Sequence, residues 1–213
     1  MPPIKMVMFD LSGTTVAGDT AVRDCIHRAA REFNLKVTPD EILYHMGTNK
    51  IHLFQFLIAR SRGQRMDIRD FEQNPDPSTL GSAEQLFERY ESLMIDYYRT
   101  SVKEIPGAAA TFGWCHEHDI KVATDTGFHG AISEAVMEEL GWLRDGLVDI
   151  AVHVECIPGG RGRPAPYMIF YAMEKLNITS VHDVIKVGDT PADMLEGHNA
   201  GCRGVVGVLS GPR

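Results

Sequence analysis

Five short stretches of the chain, residues 5–10, 120–124, 148–152, 184–188 and 204–208, are rich in apolar and β-branched residues with little polar alternation. Runs of that length and character suit strands buried on both faces of a parallel sheet, and helix-length segments lie between the later ones. The pattern is one of repeated strand–helix–strand units and predicts an α/β fold with a parallel sheet. The interval after the first strand breaks it. From 17 to 102 the apolar positions keep a helical period without strand-like alternation, which predicts a helical domain (17–102) inserted into an α/β core made of 1–16 and 103–213. Within the insertion, helices are expected over 20–33, from Thr38-Pro39-Asp40-Glu41, after Gly47 with Lys50 aboard, and over 82–98. Thr38 and Glu41 can form a capping box and Pro39 suits a first helical turn, whereas the stretch 64–80, with Asn74-Pro75-Asp76-Pro77-Ser78, is expected to be a loop.

Composition narrows the class. With 213 residues, 44% hydrophobic and 23% charged, the chain can bury a core domain and a smaller second unit. A formal net charge of −8 argues against a nucleic-acid surface, which would need a basic stripe to displace counterions from phosphates. No apolar run has the length of a bilayer span, and the Met-Pro-Pro start leads directly into a strand without a signal-peptide pattern, so a cytoplasmic protein with no membrane partner is expected. Cys25, Cys115, Cys156 and Cys202 are scattered without CxxC spacing, as reduced thiols would be. Cys115-His116-Glu117-His118 lacks the spaced partners of a metal site and reads as a polar helix end.

Candidate chemistry collects at the carboxyl ends of the expected strands, where open α/β sheets bind their ligands. Asp10 ends the first strand and is followed by Leu11-Ser12-Gly13-Thr14-Thr15, a turn whose N–H groups and hydroxyls could hold an anion. Thr124-Asp125-Thr126-Gly127 follows the second strand; Thr126 suits an anionic oxygen, and Asp125 has no assigned role. The loop Gly159-Gly160-Arg161-Gly162-Arg163-Pro164 offers positive charge, with Arg163 the better candidate and Arg161 a solvated alternative. Asp189 and Asp193, at i and i+4, are expected on one face of an emerging helix turn; with Asp10 they would make a hard oxygen site suited to Mg²⁺.

These four pieces, in this order, resemble the motifs of the haloacid dehalogenase superfamily, and the resemblance covers nearly the whole chain. It implies a Rossmann-like three-layer α/β/α core with a helical cap of the C1 type. It further implies that Asp10 is a nucleophile forming an aspartyl-phosphoryl intermediate, and that Mg²⁺ is held by Asp10, the Ser12 backbone carbonyl and Asp189, with Asp193 direct or through water. Gly13, Thr14, Thr126, Gly127 and Arg163 would then contact the phosphoryl group. Most members carry a second Asp two residues after the nucleophile to protonate the leaving alcohol; here that residue is Ser12, too weak an acid for the task. Phosphonoacetaldehyde hydrolases and phosphonatase-like hydrolases have a small residue there followed by Gly-Thr-Thr, and the present Asp10–Thr15 run is similar. Met46-Gly47-Thr48-Asn49-Lys50-Ile51 resembles their cap motif, which implies that Lys50 forms a Schiff base with a substrate aldehyde and that Met46 contacts substrate. Lys50 as a plain electrostatic contact for an anion is the alternative, as is His45 as a proton shuttle. One departure is Leu53 where phosphonatase has a histidine, and neighbouring His52 points about 100° away on a helix.

The function expected is therefore Mg²⁺-dependent C–P bond cleavage in phosphonoacetaldehyde or a related β-oxo phosphonate. A phosphatase acting on a small phosphate ester and a catalytically idle anion-binding protein are the alternatives. The partner is a small organophosphonate or phosphate, and pairing through the cap, common among such relatives, is carried as an expectation of a homodimer. After the fifth strand the chain runs only through Leu209-Ser210-Gly211-Pro212-Arg213, so either a trimmed domain or a differently covered sheet edge is expected.

Overall fold

The computed structural model describes residues 3–17, 20–45, 49–65 and 67–211. Met46, Gly47 and Thr48, and with them the expected substrate contact of Met46, lie outside the described residues. The described chain divides into two compact units, one of 1–19 and 98–213 and one of 20–97, so the division falls near 19/20 and 97/98 rather than at 16/17 and 102/103.

The first unit is built on a parallel sheet of β1 (Met6–Asp10), β2 (Lys121–Thr126), β3 (Ile150–His153), β4 (Val184–Gly188) and β5 (Gly204–Gly207). The strand order is β3-β2-β1-β4-β5, with every neighbouring pair parallel. Met6 and Met8 of β1 are buried with Ala123, Val152 and Val184 from other strands of the sheet and with Met168, Ile169 and Ala172 from a covering helix. Burial on both faces is why β1 reads as an unbroken apolar run. The crossover helices include α6 (Ala108–Glu117), α7 (Gly130–Leu140), α8 (Tyr167–Lys175) and α9 (Pro191–Ala200). Phe112 of α6 packs edge-on between Phe9 and Trp142, with centroid separations of 5.1 and 5.0 Å. One difference from the sequence expectation bears on the site. Strand β2 runs two residues past Thr124 because Asp125 and Thr126 pair in register with Val152 and His153, so both belong to the strand end and not to a turn.

The second unit is helical: α1 (Ala21–Glu32), α2 (Pro39–Tyr44), α3 (Lys50–Ser61), α4 (Ile68–Gln73) and the larger part of α5 (Leu80–Ser101). Thr38 and Glu41 form the capping box of α2, with Thr38 N–H donating to Glu41 Oε2 at 2.8 Å and Glu41 N–H to Thr38 Oγ1 at 3.3 Å. The stretch expected as a loop contains α4 and a 3-10 turn, Pro77–Thr79, that leads directly into α5. Helix α4 buries Ile68 and Phe71, a single i, i+3 pair too brief for periodicity to register. Helix α3 is buried on nearly all sides, from Leu53 through Ala59, and Phe54, Phe87 and Tyr90 cluster around it. The four cysteines are unpaired. No helix among the described residues is long and apolar enough to cross a membrane.

Candidate active site

Strands β1 and β4 are neighbours in the sheet, yet β1 leads by way of β2 and β3 to one edge while β4 starts the other side. The crevice beyond the carboxyl ends of β1 and β4 is therefore the topological switch point, the place where such sheets bind ligands. Asp10 is the last residue of β1, and Asp189 follows the last residue of β4.

The turn after β1 is tightly wound. The N–H groups of Thr15 and Val16 donate to Leu11 C=O at 2.9 and 2.7 Å, and the Thr15 hydroxyl donates to Asp10 C=O at 2.8 Å. Gly13 N–H donates to Val16 C=O at 2.8 Å and Thr14 N–H to Leu11 C=O at 3.3 Å. These two N–H groups, expected to face an anion, are thus engaged inside the turn. The Thr14 hydroxyl donates to Asp189 Oδ1 at 3.3 Å, so it steadies a carboxylate. Gly13 adopts φ 94°, and a Cβ there would lie 2.4 Å from Asp189 Oδ2; only glycine suits both the conformation and the close approach.

Asp10 is 3% exposed. Its Oδ1 lies 2.8 Å from Arg163 Nη1, and its Oδ2 is fully buried with no hydrogen-bond partner. Burial pushes the Asp10 carboxyl up to about 7, with Arg163 pulling in the opposite direction and Asp193 adding repulsion. Arg163 also grips Asp193 Oδ1, and its three carboxylate neighbours Asp10, Asp125 and Asp193 overcome burial to keep it firmly cationic. One oxygen from each of Asp10, Asp189 and Asp193 lies within 4.8 Å of the others, an all-oxygen group of the kind that suits a hard dication. Asp189 and Asp193 do not share a helix face as expected. Asp189 precedes the N-cap Thr190, whereas Asp193 is the third residue of α9 and closes its capping box. Asp193 is completely buried, with Oδ2 accepting from Thr190 N–H at 3.1 Å and from the Thr190 hydroxyl, and Oδ1 held by Arg163 and Lys186.

Beneath this group lies a second cluster that sequence reasoning missed. Lys186, Asp125 and Glu196 are, like Asp193, 0% exposed. Lys186 Nζ bonds Asp125 Oδ1 and lies 3.2 Å from both Asp193 Oδ1 and Glu196 Oε2. Burial beside Asp125 pushes the Glu196 carboxyl up to about 10, so it stays protonated and has a hydrogen to give Asp125. Lys186 interrupts an otherwise apolar strand, and a charge there requires buried counter-charges; that was the available signal.

Of the remaining expected residues, Thr126 is 2% exposed and its Oγ1 accepts from Phe128 N–H at 3.1 Å, which leaves the hydroxyl hydrogen for another acceptor. Gly127 follows it at the strand end, exposed. Ser12 is partly exposed and pairs with Val16 in a short bridge. Arg161 stacks on the Tyr167 ring at 3.9 Å, away from the carboxylates, so the two arginines separate as Arg163 inside and Arg161 outside. His116 pairs with Asp149 at 3.0 Å, and among the described residues no metal-suited group includes a histidine.

In the helical unit Lys50 opens α3 behind Asn49, whose side chain accepts from His52 N–H at 3.2 Å. Part of the Lys50 side chain reaches the surface, yet the protein around it desolvates the ammonium and pulls it down to about 8. Leu53, in the place of the absent histidine, is fully buried, and His45 packs edge-on to Phe56 at 5.3 Å.

A family model for haloacid dehalogenase-like hydrolases matches residues 7–207. The chain is 30% identical over 209 residues to the phosphonoacetaldehyde hydrolase of Bacillus cereus, covering 98% of this chain and 76% of that one. Among solved structures, a phosphonoacetaldehyde hydrolase-like protein from Oleispira antarctica superposes with TM-score 0.78 at 22% identity, covering 99% of this chain and 74% of that one. A protein described as a predicted phosphoglycolate phosphatase from Haemophilus somnus superposes with TM-score 0.76 at 19% identity, covering 99% and 88%. At such identities the structural likenesses speak for the fold.

Proposed function

The chain belongs to the haloacid dehalogenase-like hydrolases, and on that footing we propose that it cleaves the C–P bond of phosphonoacetaldehyde or a related β-oxo phosphonate. The observation that carries the reading is Lys50, an amine at a helix start whose ammonium is brought down to about 8 by desolvation. Ser12, two residues after Asp10, supports it, because a carbon leaving group stabilised as an enamine needs no acid at that position.

In this mechanism the neutral Lys50 amine adds to the aldehyde carbon, water departs and the nitrogen takes up a proton from solvent, leaving a protonated imine. An Asp10 carboxylate oxygen attacks phosphorus, and the electron pair of the breaking C–P bond moves into the imine to give an enamine. Water then hydrolyses the aspartyl phosphate, while the enamine carbon takes a proton from solvent to restore the imine, whose hydrolysis frees Lys50 and the aldehyde. Arg163 and the Thr126 hydroxyl bind phosphoryl oxygens, Arg163 also holding Asp10 in line. The orphaned Asp10 Oδ2 and the acid group around it fit a dication. Asp10, the Ser12 carbonyl and Asp189 are the proposed ligands, and Asp193, its oxygens already engaged by protein donors, braces them. With Glu196 neutral, the ionised Asp10, Asp125, Asp189 and Asp193 outnumber Arg163 and Lys186 by two charges. Mg²⁺, when bound, supplies positive charge that favours ionised Asp10 and neutralises oxygens of the phosphoryl group.

Phosphonoacetaldehyde with borohydride tests the reading: a reduced adduct on the Lys50 peptide and release of phosphate are expected. Absence of both overturns it. Mg²⁺-dependent turnover of phosphate esters that survives Lys50→Ala would make the protein a phosphatase instead. The pH dependence is a second expectation. An amine titrating at about 8 is roughly one-tenth neutral at pH 7, so the trapping rate should rise with pH and level off above about 8. An ordinary lysine would keep gaining through pH 10. Gly13→Ala, whose Cβ would press on Asp189 Oδ2, should weaken Mg²⁺ or Mn²⁺ binding by about tenfold or more, read by calorimetry, because metal ligation tolerates little displacement of a ligand.

A further inference from the structure

The Lys186 cluster has no part in the chemistry above, yet it touches it. We propose that Lys186 is a positioning residue: its ammonium occupies the cage formed by Asp125, Asp193 and the neutral Glu196 as a fixed internal cation and, through Asp193, holds Arg163 against Asp10. This rests on Asp10 being the phosphoryl acceptor and is independent of Lys50.

The three acids of the cage have oxygens within 4.8 Å of one another, a grouping that by itself could take a metal ion. The Lys186 ammonium stands against one oxygen of each, at 3.2 Å from Asp193 and Glu196 and in direct bonding contact with Asp125. A tethered cation therefore takes the place of a mobile one. The same Asp193 Oδ1 that meets Lys186 also meets Arg163 Nη1, and that same nitrogen lies 2.8 Å from Asp10 Oδ1. Lys186, Asp193, Arg163 and Asp10 thus form one unbroken line of opposite charges. Asp125 is the in-register partner of Asp10 on the neighbouring strand, so the cage sits one strand spacing from the proposed nucleophile.

The placement of the lysine is tightly built. A Cβ on Gly197 would lie 2.8 Å from Lys186 Cβ and 3.1 Å from its Cγ, so α9 leaves space for the lysine stem only by carrying glycine there. Asp193 is pinned from its other side by the Thr190 capping box. Stability alone does not account for such a cluster, since apolar residues of similar volume commonly pack as well as or better than buried ion groups. What apolar packing lacks is a charge that fixes Asp193 Oδ1 at the point Arg163 needs.

The test compares Lys186→Met/Asp125→Asn, which removes one charge of each sign, with Lys186→Gln, which keeps donors and loses the charge. Acetyl phosphate with Mg²⁺ is the probe, because its leaving group requires neither an acid nor an imine, and melting temperature is measured alongside. Expected are folded variants whose kcat is at least tenfold below wild type while KM moves less than threefold. Should kcat return to the wild-type value in the double variant as its melting temperature does, Lys186 is a structural counter-ion and the proposal is overturned. Unfolding of both variants at 25 °C would likewise assign Lys186 to the core and overturn it. If wild type turns over acetyl phosphate no faster than Asp10→Asn, the reading of Asp10 as phosphoryl acceptor fails and takes this inference with it. Failure of borohydride trapping at Lys50 alone leaves the inference standing.

Discussion

Asp10→Asn is expected to reduce turnover by roughly 10³-fold or more with any phosphonate or phosphate substrate, because a carboxamide is a poor nucleophile. The fold should survive, since the amide is isosteric and Arg163 keeps Asp193 as a partner. Its effect on stability has a definite sign in metal-free buffer. The Asp10 carboxyl titrates at about 7 in the folded protein against 3.8 for an unperturbed aspartate, so between those values the folded state binds the extra proton. The stability associated with that proton is present in full below 3.8 and is lost as pH rises through about 7. At pH 8 wild type therefore bears the burial of an ionised acid, which the amide does not. The variant should melt at or above the wild-type temperature at pH 8 with EDTA, and the difference should close towards pH 4. Turnover surviving the substitution would remove Asp10 from the mechanism.

Lys50→Arg separates imine chemistry from electrostatics more sharply than truncation does. A guanidinium keeps the positive charge, and with it any contact to an anionic substrate, but it has no neutral amine near pH 7 to add to an aldehyde. Loss of C–P cleavage by about 10³-fold or more is expected, together with loss of borohydride trapping. Were Lys50 an anion contact, arginine would retain most of the activity and alanine would chiefly raise KM. Phosphate release from phosphonoacetaldehyde, measured for both variants beside wild type, reads out the difference.

Much of this was legible in the chain because the signals are local. A strand buried on both faces shows as an unbroken apolar run, and Met6–Asp10 reads that way without any knowledge of its neighbours. The capping box at Thr38 and Glu41 spans four residues and needs nothing beyond them. Helix α4 was missed for the converse reason, since only Ile68 and Phe71 report on it. In the turn after β1 the glycine is evident from the sequence, but that the Gly13 N–H is taken by Val16 C=O and the Thr14 N–H by Leu11 C=O depends on how the chain folds back on itself. Asp125 looked like a turn residue because nothing local says that β2 continues to pair with β3 as far as Thr126.

An α/β protein with a helical insertion and acids at strand ends is legible in the chain alone, as are Asp10, Arg163, Asp189 and Lys50. The first three follow from residue type and position at a strand end or its loop, whereas Lys50 follows from the likeness of its segment to the cap motif of phosphonatase-like hydrolases. Tertiary structure alone decided which charges meet: that Arg163 grips Asp10 and Asp193 together, that Asp189 takes the Thr14 hydroxyl, and that Lys186 lies among Asp125, Asp193 and Glu196. Those partners stand up to 175 residues apart. They are joined by the parallel pairing of β1 with β2 and β4, which brings separate strand ends to one edge of the sheet, and burial there makes charge pairing obligatory.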